Sequence, residues 1–261
     1  MWNKVDNILK TFAPISLEQM KEIRLMDRTD VKYVAPTSML PALLEEISSL
    51  FMIQTINGIR ISSYGTQYFD TPGLGYFVMH QNGKLNRQKI RIRSYDDSNL
   101  AFLEIKNKNH KGRTNKVRVE VNTPQISSIS NLNEEQKFLN EHSLFDAGLL
   151  IPVLKNSFQR ITLVNNRKTE RVTIDFQISF QNYLTNKEGS LDNIMVLELK
   201  QDGRMYSDFR AVLERLRIRP VSFSKYCMGV VLTDPNVKYN RFKRKLIKIK
   251  KLIKYDTIKL S

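Results

Sequence analysis

From Gln88 to Lys108 charged and aliphatic side chains take turns along the chain. Lys89, Arg91 and Arg93 alternate with Ile90 and Ile92, and Glu104, Lys106 and Lys108 alternate with Leu103 and Ile105. Successive side chains of a strand point to opposite faces, so the pattern predicts strands over about 86–95 and 100–108, each apolar on one face and charged on the other. The same signature continues over 114–122, where Lys116, Arg118 and Glu120 oppose Val117 and Val119. It returns over 170–180, where Arg171, Thr173 and Asp175 oppose Val172, Ile174 and Phe176, and over 193–200, where Val196, Glu198 and Lys200 oppose Leu197 and Leu199. Further strands are predicted at 28–34, 60–70, 153–164 and 223–232.

Helical spacing fills the gaps between strands. Helices are predicted over 2–12 and 16–25, the second opened by Ser16-Leu17-Glu18-Gln19, which reads as a capping box. Pro36-Thr37 opens a helix through Leu50 with Leu40, Leu43, Leu44 and Ile47 on one side. Others fall at 74–81, closed by Asn82-Gly83, at 133–147 with Asn133 as its cap, and at 208–216. Thr71-Pro72-Gly73, Asp96–Asn99 and Asn109–Gly112 read as turns. No internal repeat or low-complexity linker interrupts 1–235. The expectation is one α+β domain over 1–235, mostly antiparallel, with a separate tail over 236–261.

Two architectures fit this alternation. The charged face can lie in water, as in many antiparallel sheets. Alternatively, helices cover the apolar face and the charged face lines a β-barrel, for which eight strands is about the smallest number that leaves a central space. An interior lined by Arg and Lys cannot stay dry: each unpaired buried charge costs several kcal/mol, so such a lumen must hold water and an anion. Alternation alone does not choose between the two.

Charge sharpens the question. The 261 residues are 41% hydrophobic, enough for a core, and carry 42 Lys and Arg against 26 Asp and Glu, a net +16. Such an excess implies an anionic partner: nucleic acid, phosphate polymer, nucleotide or anionic membrane. Nine of the cations fall between Lys238 and Lys254 with no acidic residue among them; without them the chain holds 33 basic against 26 acidic residues. The body is therefore only moderately basic, and its claim on a polyanion rests on where the charges stand. In the tail, Phe242, Leu246, Ile249 and Ile253 fall on one helical face among lysines. An anionic membrane surface at its inner face, a membrane protein or an acidic polymer are the partners open to such a helix. A single cysteine, Cys227, excludes an internal disulfide. No signal-peptide pattern or membrane-length apolar run is visible, so a cytoplasmic protein is expected.

Seven short motifs stand in a fixed order: Arg28-Thr29-Asp30-Val31-Lys32-Tyr33, Tyr68-Phe69-Asp70-Thr71, Lys89-Ile90-Arg91-Ile92-Arg93, Phe102-Leu103-Glu104-Ile105-Lys106, Arg171-Val172-Thr173-Ile174-Asp175, Leu197-Glu198-Leu199-Lys200 and Ser222-Phe223-Ser224-Lys225-Tyr226. Together they resemble the VTC domain of the vacuolar transporter chaperone polyphosphate polymerases, within the triphosphate tunnel metalloenzymes. The likeness spans about residues 20–232. It implies an antiparallel β-barrel tunnel in which basic side chains grip a triphosphate, a glutamate holds Mn²⁺ or Mg²⁺, and the ATP γ-phosphate passes to polyphosphate. Carried over motif by motif, it implies Lys32, Arg91, Arg93, Lys106 and Lys225 as catalytic, Lys89, Arg160 and Arg171 as substrate-binding, and Glu198 as the metal ligand. ATP and polyphosphate are then the expected partners, not nucleic acid. One departure is Phe158, where the family pattern has a tyrosine two residues before the arginine. The Glu-x-Glu-x-Lys hallmark of the related CYTH enzymes is also missing near the N-terminus, which tilts the likeness towards the polymerases.

The residue types suit that chemistry. Phosphoryl transfer asks for positioning and charge neutralisation more than for covalent participation. Arginine binds phosphate oxygens bidentately, and lysine supplies a compact charge. Mg²⁺ and Mn²⁺ take oxygen ligands, often one or two carboxylates completed by phosphate oxygens and water. Two other functions share the composition: a tunnel triphosphatase, and a non-catalytic binding module for polyphosphate or single strands that uses Tyr95, Phe102 and Tyr183. Gly83-Lys84 lacks P-loop spacing, and His80, His110 and His142 lack metal-site spacing, so ordinary surface or core roles are expected of the histidines.

Overall fold

The structure, a computed structural model, describes residues 1–23, 28–98, 100–111, 113–122, 133–203 and 206–259. The turn positions Asn99 and Gly112 and the end of the helix expected over 16–25 lie outside these residues. Eleven strands belong to one sheet: β1 (Ala13–Ser16), β2 (Arg28–Pro36), β3 (Phe51–Thr55), β4 (Ser62–Asp70), β5 (Arg87–Tyr95), β6 (Leu100–Lys108), β7 (Thr114–Glu120), β8 (Ile151–Asn165), β9 (Glu170–Asn182), β10 (Glu188–Leu191) and β11 (Ile194–Asp202). Its main path runs β2-β11-β9-β8-β4-β5-β6-β7, antiparallel at each step. β1 and β3 form a short parallel pair attached to β8, and β10 pairs with β9.

The helices are α1 (Trp2–Thr11), α2 (Leu17–Glu22), α3 (Leu40–Ile47), α4 (Gly75–Gln81), α5 (Asn133–His142), α6 (Asp208–Arg215), α7 (Lys225–Thr233) and α8 (Asn240–Lys259). The capping box of α2 forms as expected: Ser16 Oγ accepts from Gln19 N–H, and the Gln19 side chain accepts from Ser16 N–H. α3 starts after a 3-10 turn at Thr37–Met39, and the helix expected through 147 ends at His142.

The alternation resolves in favour of the curled sheet. Val172, Ile174 and Phe176 of β9, Leu197 and Leu199 of β11, Tyr33 of β2 and Ile161 of β8 are buried in one core with α1, α3 and α6. Ile90, Ile92, Leu103 and Ile105 are buried in a second core with Tyr76 of α4 and Leu139 of α5. Helices thus cover the apolar face, and the charged face turns inward. The curl brings the ends of the sheet to one cavity, lined by Lys32 of β2, Glu198 of β11, Lys89 of β5, Lys106 of β6 and Thr114 of β7. The expected barrel is not closed by hydrogen bonds: among the described residues β2 and β7 remain unpaired to each other.

The strand expected over 223–232 is instead the helix α7. Ser224 caps it, its hydroxyl accepting from Cys227 N–H. Tyr226, Cys227, Met228, Gly229 and Val230 are all buried. A short apolar run buried on all sides has no helical period, and periodicity cannot tell it from a buried strand. α7 packs against β8, β9 and β10 and closes one end of the curl with Tyr64, Tyr68, Phe158 and Phe180. Asp70 fixes this plug: its carboxylate accepts from the Tyr226 hydroxyl and from Thr71, Tyr76 and Phe77 N–H, tying α7 to the start of α4. The strands β1, β3 and β10 escaped the sequence reading because none exceeds five residues.

α8 is docked. Phe242 and Ile249 are buried, and Leu246, Leu252 and Ile253 pack beside them against the plug core. The apolar stripe of the tail therefore faces the domain. Among the described residues no helix is long and apolar enough to cross a membrane.

Candidate functional site

Register places the inward charges in rows. Glu198 pairs across β2–β11 with Lys32 and across β9–β11 with Thr173. Lys89 faces Lys106, Arg91 faces Glu104, and Arg93 faces Phe102 on β6 and Thr66 on β4. Two residues advance a strand by about 6.7 Å, so Arg87, Lys89, Arg91 and Arg93 form a ladder of four rungs some 20 Å deep. Arg87 stands at the mouth and Arg93 at the plug.

The mouth is a cavity of about 1190 Å³. Lys32, Lys89, Lys106 and Glu198 line it, with Arg87, Lys108, Lys111 and Arg113 around the rim. Lys32 and Glu198 form an ion pair. Burial would raise the Glu198 carboxyl, but Lys32 and Lys200 outweigh it and hold the group well below the usual carboxylate range. Lys89 donates to Ser224 Oγ at 2.9 Å. Burial, with help from Lys106 and Arg91, lowers the Lys89 ammonium to about 8. Lys106 is lowered in the same way, with Glu198 opposing and Lys32 and Arg91 assisting.

Deeper in, Arg91, Arg160 and Lys225 are paired. Glu104 accepts from Arg91 Nε and Nη2 at 2.9 and 2.7 Å and from Lys116 Nζ at 2.8 Å. Its carboxylate therefore works as a charge partner. Asp175 accepts from Arg160 Nε at 2.5 Å and Nη2 at 2.8 Å and also pairs with Lys225. Lys225 is lowered to about 8 by burial, against the pull of Asp175. Phe158 fits this cluster without a hydroxyl: Lys225 lies 3.8 Å and Arg160 5.2 Å from its ring centre, and Tyr64 stacks on the ring at 5.3 Å.

Among the described residues, buried polar atoms without a hydrogen-bond partner on or beside this face include Arg93 Nε, Thr66 Oγ1, Thr173 Oγ1 and His80 Nε2. An unsatisfied buried polar atom costs about 1–3 kcal/mol, so each of these is a contact open to a ligand or ordered water. Arg93 is lowered by burial and by Arg91, which records cationic crowding. Arg171 shares the inward face but does not reach the cavity; its guanidinium donates to Met20 O at 2.7 Å and Ile23 O at 3.4 Å, at the end of α2. The structure thus gathers Lys32, Lys89, Arg91, Arg93, Lys106, Arg160, Lys225 and Glu198 on one inner wall and leaves Arg171 apart.

The sequence gives His80 only an ordinary surface or core role. The residue lines the cavity from the end of α4, with burial and then Lys89 and Arg87 lowering it to about 2, so it is neutral. No spacing rule signals a lone histidine that only tertiary structure carries to a cavity. The rim residues Arg87, Lys108, Lys111 and Arg113 were visible as charge but not as a ring.

A divalent ion fits sparsely. Among the described residues no group of three His, Cys, Asp or Glu converges. Glu198 is ionised, opens to the cavity and has an 18% exposed side chain. It could supply one carboxylate oxygen, the phosphate oxygens of a substrate completing the shell.

No curated protein matches the chain. Structures with a similar fold include a candidate adenylyl cyclase from Hippeastrum, described as revealing a dominant triphosphatase activity, at 16% identity and a TM-score of 0.48, covering 79% of this chain and 96% of that one. A candidate adenylate cyclase from Vibrio parahaemolyticus matches at 11% identity and a TM-score of 0.42 over 85% and 99% of the two chains. A Pyrococcus horikoshii protein matches at 14% and 0.42 over 78% and 98%. The family model described as the VTC domain matches residues 27–233, from the start of β2 to the end of α7. The chain belongs to the VTC domain family.

Proposed function

We propose that this protein is a metal-dependent polyphosphate polymerase that transfers the ATP γ-phosphate to a growing polyphosphate chain inside its cationic cavity. The observation that carries the reading is the cavity itself: Lys32, Lys89 and Lys106 line it together with Asp30 and the ionised carboxylate of Glu198. Three ammonium groups converging there make a receptor for several phosphates in a row. Membership of the VTC domain family supports a triphosphate or polyphosphate substrate. In this reading Arg93, Arg91 and Arg160 grip the inner phosphates, and Lys225 lies against the deepest. Mn²⁺ or Mg²⁺ held by Glu198 would neutralise charge on the transferring phosphate. The elongated, open-mouthed cavity lets product thread outward while its newest end stays near the carboxylate.

Purified protein incubated with ATP and Mn²⁺, with products resolved on a gel stained for polyphosphate, tests this. Long chains are expected, with synthesis lost in Glu198→Gln while metal-free tripolyphosphate binding persists or tightens, because Lys32 is released from its partner. Free phosphate without chains would replace polymerase by triphosphatase. Binding without turnover would reduce the protein to a polyanion receptor.

A further inference from the structure

The C-terminal helix lies beside the mouth of the cavity. Arg241 packs over Gly83 in the turn between α4 and β5; a β-carbon there would meet its guanidinium at 2.3 Å. Gly83 adopts φ +69°, so a side chain would also strain the turn. Lys245 feels the charges of Arg241, Arg87 and buried Cys227, and Arg87 lines the cavity. The flank of α8 carrying Arg241 and Lys245 is therefore continuous with the cationic rim. The apolar face holding Phe242, Leu246 and Ile249 is turned into the domain. Opposite it, Lys243, Arg244, Lys248, Lys250 and Lys251 are exposed. No acidic residue interrupts the chain from Lys238 to Tyr255.

We propose that the exposed face of α8 is an external binding track for polyphosphate, continuing the cavity outward so that a long chain is held at both places. The proposal rests on the polyphosphate reading of the cavity. Three observations favour an acidic polymer over an anionic membrane. The apolar stripe that would enter a bilayer is already buried. The cations spread around the helix instead of lying in one plane. The charge also runs without a break into a cavity that itself suits phosphates. A flexible chain of regularly spaced charges can follow such a path, releasing counterions at each contact. Simultaneous engagement of cavity and helix raises affinity for long chains alone, because a short anion cannot span both.

The test uses the full chain and the variant Lys243→Gln/Arg244→Gln/Lys248→Gln/Lys251→Gln, which removes exposed charge, keeps the buried stripe and retains good helix formers. Equal helix content by circular dichroism confirms that α8 persists. Tripolyphosphate and long-chain polyphosphate are titrated at several salt concentrations. The expected result is at least about tenfold weaker long-chain binding and a shallower salt dependence, with tripolyphosphate affinity unchanged. Unchanged long-chain affinity, or equal weakening of both ligands, would overturn the track. So would phosphatidylserine vesicles that lose binding to the variant while long polyphosphate does not, since the face would then serve a membrane. The cavity reading fails by a different sign: tripolyphosphate binding indifferent to Arg93→Ala.

Discussion

The two ends of the inner wall are built from the same residue types and do opposite things. At the plug, Arg160 and Lys225 share Asp175, and nearby Arg91 and Lys116 share Glu104, so charge is matched and geometry is held. At the mouth, Lys32, Lys89 and Lys106 stand with the two carboxylates Glu198 and Asp30, and Arg87, Lys108, Lys111 and Arg113 add further positive charge, so among the described residues cations outnumber carboxylates. Burial lowers both Lys89 and Lys225 to about 8, yet Lys225 still has a carboxylate partner and Lys89 only a serine hydroxyl. Cations matched by carboxylates are held in place, ready to meet a phosphate without rearranging. Cations in excess of the carboxylates leave a potential that an incoming anion relieves.

The largest effect should come from breaking the matched end. Asp175→Ala strands Arg160 and Lys225 in a site where the aspartate side chain is 5% exposed. Removing one member of such a cluster costs about 3–5 kcal/mol, to be read as a lowered midpoint in urea unfolding. Arg93, an unmatched cation beside that matched cluster, should respond in the other sense. Arg93→Ala removes a cation whose Nε has no partner, so urea unfolding should shift little or towards greater stability. Its tripolyphosphate affinity should fall by about 10- to 150-fold, the worth of one charge-assisted contact at about 1.5–3 kcal/mol. If Arg93→Ala were as destabilising as Asp175→Ala, the contrast between matched and unmatched cations would vanish.

A smaller effect separates the ends by pH. An unfolded lysine ionises near 10.4, whereas native Lys89 does so at about 8. Between those values the unfolded chain binds more protons, so this group's contribution to stability rises with pH. Below pH 8 the protonated amine disfavours the apo fold and favours anion binding. Lys89→Met should therefore be more stable than wild type at pH 7 and bind tripolyphosphate more weakly, and both differences should shrink as pH climbs past 8. Paired unfolding and binding titrations at pH 7 and 9.5 read this. The smallest effect is expected of Phe158→Tyr. The ring already serves Lys225 and Arg160 by its face, so affinity should change by less than about threefold, within about 0.6 kcal/mol.

Much of this was legible in residue order. One-for-one alternation at Lys89–Arg93, Leu103–Lys108, Arg171–Phe176 and Val196–Lys200 located four strands of the wall, because a two-sided strand writes its burial into the sequence. What alternation could not say was which face looks inward, since a solvated sheet and a curled one share the pattern. Only the packing of α1, α3, α4, α5 and α6 on the aliphatic side settles it. α7 was misread because it is buried all round, and α8 read correctly as an amphipathic helix whose partner, the domain itself, no periodicity reveals. Arg171 shares the periodicity of the site, but a hydrogen bond to α2 takes its guanidinium elsewhere. His80 does the reverse, reaching the cavity from a helix end with no pattern to announce it.

A crystal structure of the protein with tripolyphosphate and Mn²⁺ tests the central claim most directly. The account predicts three linked phosphates among Lys32, Lys89, Lys106 and Arg93, with a metal ion touching both Glu198 and a phosphate oxygen. Tripolyphosphate bound only outside the cavity, with the Lys32–Glu198 pair intact and Arg93 Nε still unpartnered, would contradict it.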